Sequence, residues 1–300
     1  MVTILPKRAG QIALLVLAVA IGVSRPALSA PRETLAAGDQ GTIEFKTLTL
    51  TSDQFMAGSK VGEDVVISGA LNFPKGAGKV PALIISHGGC GIARNETGWV
   101  DELRALGLAT FFVDSFGGRS IRCFPADSTL NRRAQVLDLW RALALLSTHP
   151  RIDSKRIGLM GFSRGGGEVI LAADSLQSPY FPPNVDVAVY LAVYPSLPPE
   201  AEYASWQLHA RPIRIFQGML DDVTPLAAAR RFVEVQRAKG FDVKMFEYPN
   251  SRHVFDNPGL PPAVSTPIGT IGYNGQAAAQ AFNDMEKTLR EVLRLKGTEK

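Results

Sequence analysis

"RIGLMGFSRGGG", residues 156–167, closes an apolar run with a serine set between two glycines. The stretch reads as a buried strand over 156–160, a tight turn Gly161-Phe162-Ser163-Arg164-Gly165, and a helix that begins at Arg164. In a nucleophile elbow the serine sits on a strained strand-to-helix turn, and the glycines beside it are required because a β-carbon there collides with the neighbouring strand and helix. The helix that follows aims unpaired N–H groups and the positive end of its dipole at charge developing beside the serine. With 28 glycines in 300 residues the motif alone arises by chance too readily to decide anything. Its surroundings must supply the weight.

Outward from the elbow, continuous apolar runs at 81–86, 109–114, 185–194, 212–217 and 242–248 predict further buried strands. Two earlier runs, 42–50 and 63–74, alternate polar and apolar residues and predict half-exposed antiparallel strands at one edge. Helix-period stretches lie between most of them, at about 96–106, 132–148, 164–175 and 224–239. In the last stretch, "AAAQAFNDMEKTLREVLRL", Phe282, Met285, Leu289 and Val292 share one face at three- and four-residue spacing and predict a core-facing helix. Strands alternating with helices indicate an α/β fold, a mostly parallel sheet of about eight strands covered on both faces.

A serine hydroxyl is a poor nucleophile until an imidazole takes its proton, and on this kind of sheet the partners follow in the order serine, acid, histidine. The chain has four histidines. His87 and His149 precede Ser163, and His149 in "THPRID" fits a helix end. His209 precedes a strand with no acid-bearing strand end between it and the elbow. His253, in the loop "EYPNSRHVFDNP" after strand 242–248, remains as the base. "PIRIFQGMLDDVTP" offers Asp221 and Asp222 just past a strand end. Asp221 is assigned to orienting the imidazole, and Asp222 to the start of the helix near Thr224 or Pro225. "SHGGCG", residues 86–91, follows strand 81–86 with glycines that permit close backbone approach. Gly89 or Cys90 therefore donates one oxyanion N–H, Arg164 the other, and His87 is a structural part of that loop.

Taken together, "SHGGCG", "FVDSFGGRSIRCF", "THPRIDSKRIGLMGFSRGGG", "FQGMLDDVTP" and "EYPNSRHVFDNP" resemble the dienelactone hydrolase family of α/β hydrolases. They run in family order over 81–257, with Gly-x-x-Asp at 218–221 and His-x-Phe-Asp at 253–256 as the more specific pieces. The resemblance implies the α/β-hydrolase fold, with nucleophile at Ser163, acid at Asp221 and base at His253. Dienelactone-cleaving members carry cysteine where this chain carries serine, and serine members and their relatives resemble esterases, lipases and peptidases. The implied activity is hydrolysis of a small-molecule carboxylic ester or lactone through an acyl-enzyme. A serine peptidase on the same fold, or a binding protein that kept the fold and lost turnover, are the competing readings. The last normally lacks a triad member, and here all three are present.

Residues 1–30 have the layout of a secretory signal: Lys7 and Arg8, an apolar run over 11–23, then "SRPALSA". The apolar run is short of the ~20 residues a spanning helix needs, so the expectation is cleavage near 29 or 30, a periplasmic or secreted protein without a stable membrane anchor, and a single domain over 31–300. Three of the 32 basic side chains, Lys7, Arg8 and Arg25, lie in that segment with none of the 28 acidic ones. What is left is nearly neutral, with no Lys/Arg run for a nucleic-acid patch. The two cysteines, Cys90 and Cys123, are expected to pair in an oxidising compartment. Arg119 and Arg122 in the same loop are expected to be solvated. The loop 254–275, with four prolines, is long enough to wall an acyl or alcohol pocket. No HExxH or CxxC spacing is present, and the proposed chemistry calls for neither metal nor organic cofactor.

Overall fold

The computed structural model describes residues 30–123, 130–174 and 179–295, so the expected export signal lies outside them except for Ala30. By internal contact the chain divides into Met1–Ala30 and Pro31–Lys300, and the strands all belong to the second unit. Strands β1 (Gly41–Thr49), β2 (Glu63–Asn72), β3 (Val80–Ser86), β4 (Ala109–Asp114), β5 (Ile152–Phe162), β6 (Tyr190–Val193), β7 (Ile213–Gly218) and β8 (Val243–Tyr248) form one sheet. Its order is β1-β2-β4-β3-β5-β6-β7-β8. β1 pairs antiparallel with β2, and β2 with β4. From β4 through β3, β5, β6 and β7 to β8 every pairing is parallel.

The alternating edge strands and the continuous inner ones fall where their patterns predict. In β1, Ile43, Phe45 and Thr47 point inward and their neighbours are more exposed. In β3, Ala82 to Ile85 are all fully buried because both faces of the sheet are covered. Leu83 and Ile85 pack with Leu103 of helix α2 (Arg94–Ala105) and with Met285 and Leu289 of α7 (Gly275–Leu293). Ile84, on the opposite side of the pleat, belongs with Leu143 of α3 (Arg132–Ser147), Ile170 of α4 (Arg164–Asp174) and Phe232 of α6 (Leu226–Ala238). On α7 the stripe is centred on Ala281, Met285 and Leu289, while Phe282 and Val292 are only partly buried.

Three features differ from the sequence reading. The run 185–194 contributes only the short β6, although Val187 and Val189 are fully buried. Its first half is apolar because it packs; its link to β5 is carried by Ala188 N–H to the Ile157 carbonyl and Leu159 N–H to that of Val189. Two single-turn helices appear, α1 (Ser52–Met56) and α5 (Glu200–Tyr203). The segment 254–275 contains a small hairpin, β9 (Val264–Thr266) with β10 (Gly269–Ile271).

Candidate active site

Ser163 stands between β5 and α4 with φ of 50°, the left-handed region that non-glycine residues occupy at a cost. The chain turns this sharply because Gly161 and Gly165 carry no side chain. A β-carbon on Gly161 would collide with the Gly165 carbonyl, and one on Gly165 would come within 2.5 Å of the backbone oxygens of Ser86 and His87. The turn is fixed by Ser163 N–H donating to the Val193 carbonyl at 2.9 Å, and by the Ser163 carbonyl accepting from Gly167 at 3.1 Å and Ser196 at 2.9 Å. The serine remains partly exposed.

His253, in the loop after β8, brings Nε2 to 2.9 Å from Ser163 Oγ, and its Nδ1 lies 2.8 Å from Asp221 Oδ2. The carboxylate accepts the Nδ1 hydrogen, which leaves Nε2 as the acceptor facing the serine. Asp221 is held by four further donor contacts: Val223 N–H at 3.0 Å and Thr224 N–H at 2.8 Å on Oδ1, Gln217 Nε2 at 3.0 Å and Thr224 Oγ1 at 2.8 Å on Oδ2. Thr224 Oγ1 also lies 3.1 Å from His253 Nδ1. Ser163, Asp221 and His253, chosen from the sequence, are thus brought together by the ends of β5, β7 and β8. Thr224 and Gln217 were not singled out. "DDVTP" contains the signal for Thr224, a hydroxyl three residues beyond an aspartate, but which aspartate it serves is set by the fold.

Asp222 does not start the helix. Its Oδ1 accepts Thr270 N–H at 2.7 Å and ties β10 to the acid loop, while α6 begins after Pro225 with no side-chain cap. The local turn that leads into α6 is made by Asp221 itself. Arg119 is not solvated: it is buried against Asp138 at 2.8 Å and also donates to the Ser115 carbonyl and Thr49 Oγ1. Arg122 is exposed. His149 closes the end of α3, accepting Arg151 N–H at Nδ1 and reaching the Asp39 carbonyl through Nε2.

The loop after β3 lies against the elbow, where a β-carbon on Gly88 would be 3.8 Å from that of Ser163. The Gly88 N–H is taken by Glu96 Oε1 at 2.9 Å, and Oε2 of the same carboxyl accepts Ala93 N–H at 3.0 Å. Burial pushes Glu96 up to about 8. His87 is buried, which lowers its pKa, and Nδ1 donates to the Gly88 carbonyl at 2.7 Å. A disulfide joins Cys90 of this loop to Cys123. Beneath α4 the Arg164 guanidinium is buried against Gln135 Oε1 at 2.6 Å and Glu168 at 3.0 Å. Desolvation raises Glu168 to about 8 in spite of that cation.

Another buried carboxyl lies behind the base. Asp256 accepts Trp99 Nε1 at 2.7 Å, the Tyr194 hydroxyl at 2.9 Å and Asn95 Nδ2 at 3.3 Å; burial raises its pKa and these donors oppose the rise. On its far side a cavity of about 770 Å³ opens between α2, residues 256–259 and the start of α7. Asn257, Pro258 and Gly259 of the long proline-rich loop line that cavity, whose walls include neither Ser163 nor His253. Exposed apolar side chains instead sit on the loops after β3 (Ile92) and after β7 (Met219 and Leu220).

The model of the family described as "Dienelactone hydrolase family" matches residues 67–293. No curated protein matches the chain. Among solved structures, esterase 2 of Thermogutta terrifontis phosphorylated by paraoxon is 17% identical, with a TM-score of 0.59 over 85% of this chain and 96% of its own. A dienelactone hydrolase-like promiscuous phosphotriesterase from metagenomic libraries is 16% identical, with a TM-score of 0.58 over 84% of this chain and 99% of its own. Est1E of Butyrivibrio proteoclasticus is 15% identical, at 0.56 over 77% and 96%. These likenesses describe the fold.

Proposed function

The chain belongs to the dienelactone hydrolase family and is a hydrolase acting on ester bonds, and we propose that it cleaves carboxylic esters or lactones through an acyl-enzyme on Ser163. The observation that carries this reading is the unbroken chain from Ser163 Oγ to His253 at 2.9 Å and from His253 to Asp221 at 2.8 Å, ending on a partly exposed serine at a strained elbow.

His253 Nε2 takes the Ser163 proton as Oγ bonds to the acyl carbon, and Asp221 stabilises the imidazolium through Nδ1–H. The carbonyl oxygen becomes an oxyanion facing the N–H groups of Arg164 and Gly89, where loss of one donor typically costs about 3 to 4 kcal/mol. His253 then returns the proton to the leaving alkoxide, and the alcohol departs. Water repeats the sequence on the acyl-enzyme, giving its proton to His253 and its oxygen to the acid, and Ser163 recovers its hydrogen. The exposed Ile92, Met219 and Leu220, on the loops that carry the oxyanion glycines and Asp221, support a substrate with an apolar acyl or alcohol group. Export is part of the same proposal, supported by the basic, apolar and small-residue layout of 1–30 and by the Cys90–Cys123 bond.

A fluorophosphonate probe tests the nucleophile. The wild-type chain is expected to label and to hydrolyse short acyl esters, and Ser163→Ala to do neither. Equal labelling of both, or of neither, refutes the reading. Peptide amides run beside the esters separate esterase from peptidase.

A further inference from the structure

Tyr194 follows directly on β6 and lies against Phe162, Thr224 and His253. Its backbone is in the left-handed region at φ 38°. Its N–H donates to the Phe216 carbonyl at 2.8 Å, and its own carbonyl lies 3.2 Å from Thr224 Oγ1, the hydroxyl that meets Asp221 and His253 Nδ1. Its neighbours Val193 and Ser196 hold the Ser163 backbone from both ends. Its ring lies 6.2 Å from Phe162, the residue before the serine, and 4.7 Å from the His253 imidazole at 62°. The ring is buried, so it touches no substrate.

The hydrogen bonds at Nδ1 and Nε2 fix the imidazole along the line that joins them but leave it free to rock about that line. An edge-on aromatic ring at 4.7 Å removes that freedom, provided the aromatic ring is itself held at its far end. The Tyr194 hydroxyl supplies that hold by donating to Asp256, which Trp99 and Asn95 fix in turn. Asp256 lies three residues beyond His253, so the brace also closes the base loop onto itself.

We propose that Tyr194, clamped through its hydroxyl by Asp256, is the positioning residue that sets the His253 imidazole against Ser163 and Asp221. The proposal rests on Ser163 being the nucleophile. Tyr194→Phe keeps the ring and every backbone contact and removes only the hydroxyl, with its bonds to Asp256 and to Asn95 Nδ2. It is expected to lower kcat and the fluorophosphonate labelling rate together by about tenfold with KM within twofold, because small misplacement of a reacting group is costly. Asp256→Ala is expected to lose at least as much, and Asp256→Asn, which keeps one acceptor oxygen, to recover part of that loss. Tyr190→Phe, at the other end of β6 with its hydroxyl 3.4 Å from His209 Nδ1, is expected to leave kcat unchanged. Wild-type kcat and labelling in Tyr194→Phe, a rise in KM at constant kcat, or an equal loss in Tyr190→Phe overturns the brace. If Asp256→Ala fails to fold, Tyr194→Phe still decides. A wild-type chain that never labels overturns the Ser163 reading, and this one with it.

Discussion

At the scale of single residues, the carboxylate of Asp221 has almost no freedom: both oxygens are engaged, one by two backbone N–H groups and the other by Gln217, Thr224 and His253. Asp221→Asn puts an amide where the carboxylate accepted the Nδ1 hydrogen, so the imidazole takes the wrong tautomer. The expected loss in kcat is about 10⁴-fold with KM little changed, the size this substitution has in a serine triad, and steady-state kinetics on a short acyl ester checks it. Order along the chain and loop position single out Ser163, Asp221 and His253, and the fold brings these three within hydrogen-bond reach of one another. Order and position were not enough for Asp222, because capping a helix and tying down β10 ask for the same residue type after the same strand. Arg119 was illegible for a related reason. An arginine in a loop is usually solvated, and only the approach of Asp138 from α3 makes this one buried.

At the scale of elements, the elbow is a tightly constrained joint. Gly161→Ala forces its new methyl into the Gly165 carbonyl, and overpacking of this kind costs about 1 to 3 kcal/mol and moves the backbone. The variant is expected to lose ester hydrolysis outright and to unfold at lower urea; wild-type activity would refute the packing argument. The loop facing the elbow is tied by the Cys90–Cys123 bond, which closes 33 residues and contributes about 4 kcal/mol in the chain-entropy model. Cys90→Ser with Cys123→Ser is therefore expected to lower Tm by several degrees, measured by calorimetry beside the oxidised wild type. The long strands and helices were legible because periodicity accumulates over many residues. The three-residue strands β9 and β10 were not, because so short a run has no period to read and is made by pairing with its partner and with Asp222.

Over the whole molecule, two buried glutamates give stability a pH slope. Burial raises Glu96 and Glu168 each to about 8, above the ~4.3 of an unfolded glutamate. Between those values the folded chain keeps protons that the unfolded chain has released. Their contribution is thus complete at acid pH and is lost as pH rises through about 8. The difference in urea unfolding free energy between wild type and Glu96→Gln, which cannot ionise, is expected to shift against the wild type as pH rises from 5 to 8; a difference that does not change with pH would show that Glu96 carries no part of the slope.

The amino-acid sequence by itself determined the layered α/β architecture, the antiparallel edge, the elbow and the order of its partners, because each of these is written in local period, turn chemistry or chain order. The tertiary structure decided that Thr224 and Gln217 hold Asp221, and that Asp256, Trp99, Asn95 and Tyr194 close a buried cluster behind the base. Those groups lie up to 161 positions apart in the chain. A polar side chain enters a core only where partners converge on it, and convergence is a property of how the strands are ordered in the sheet.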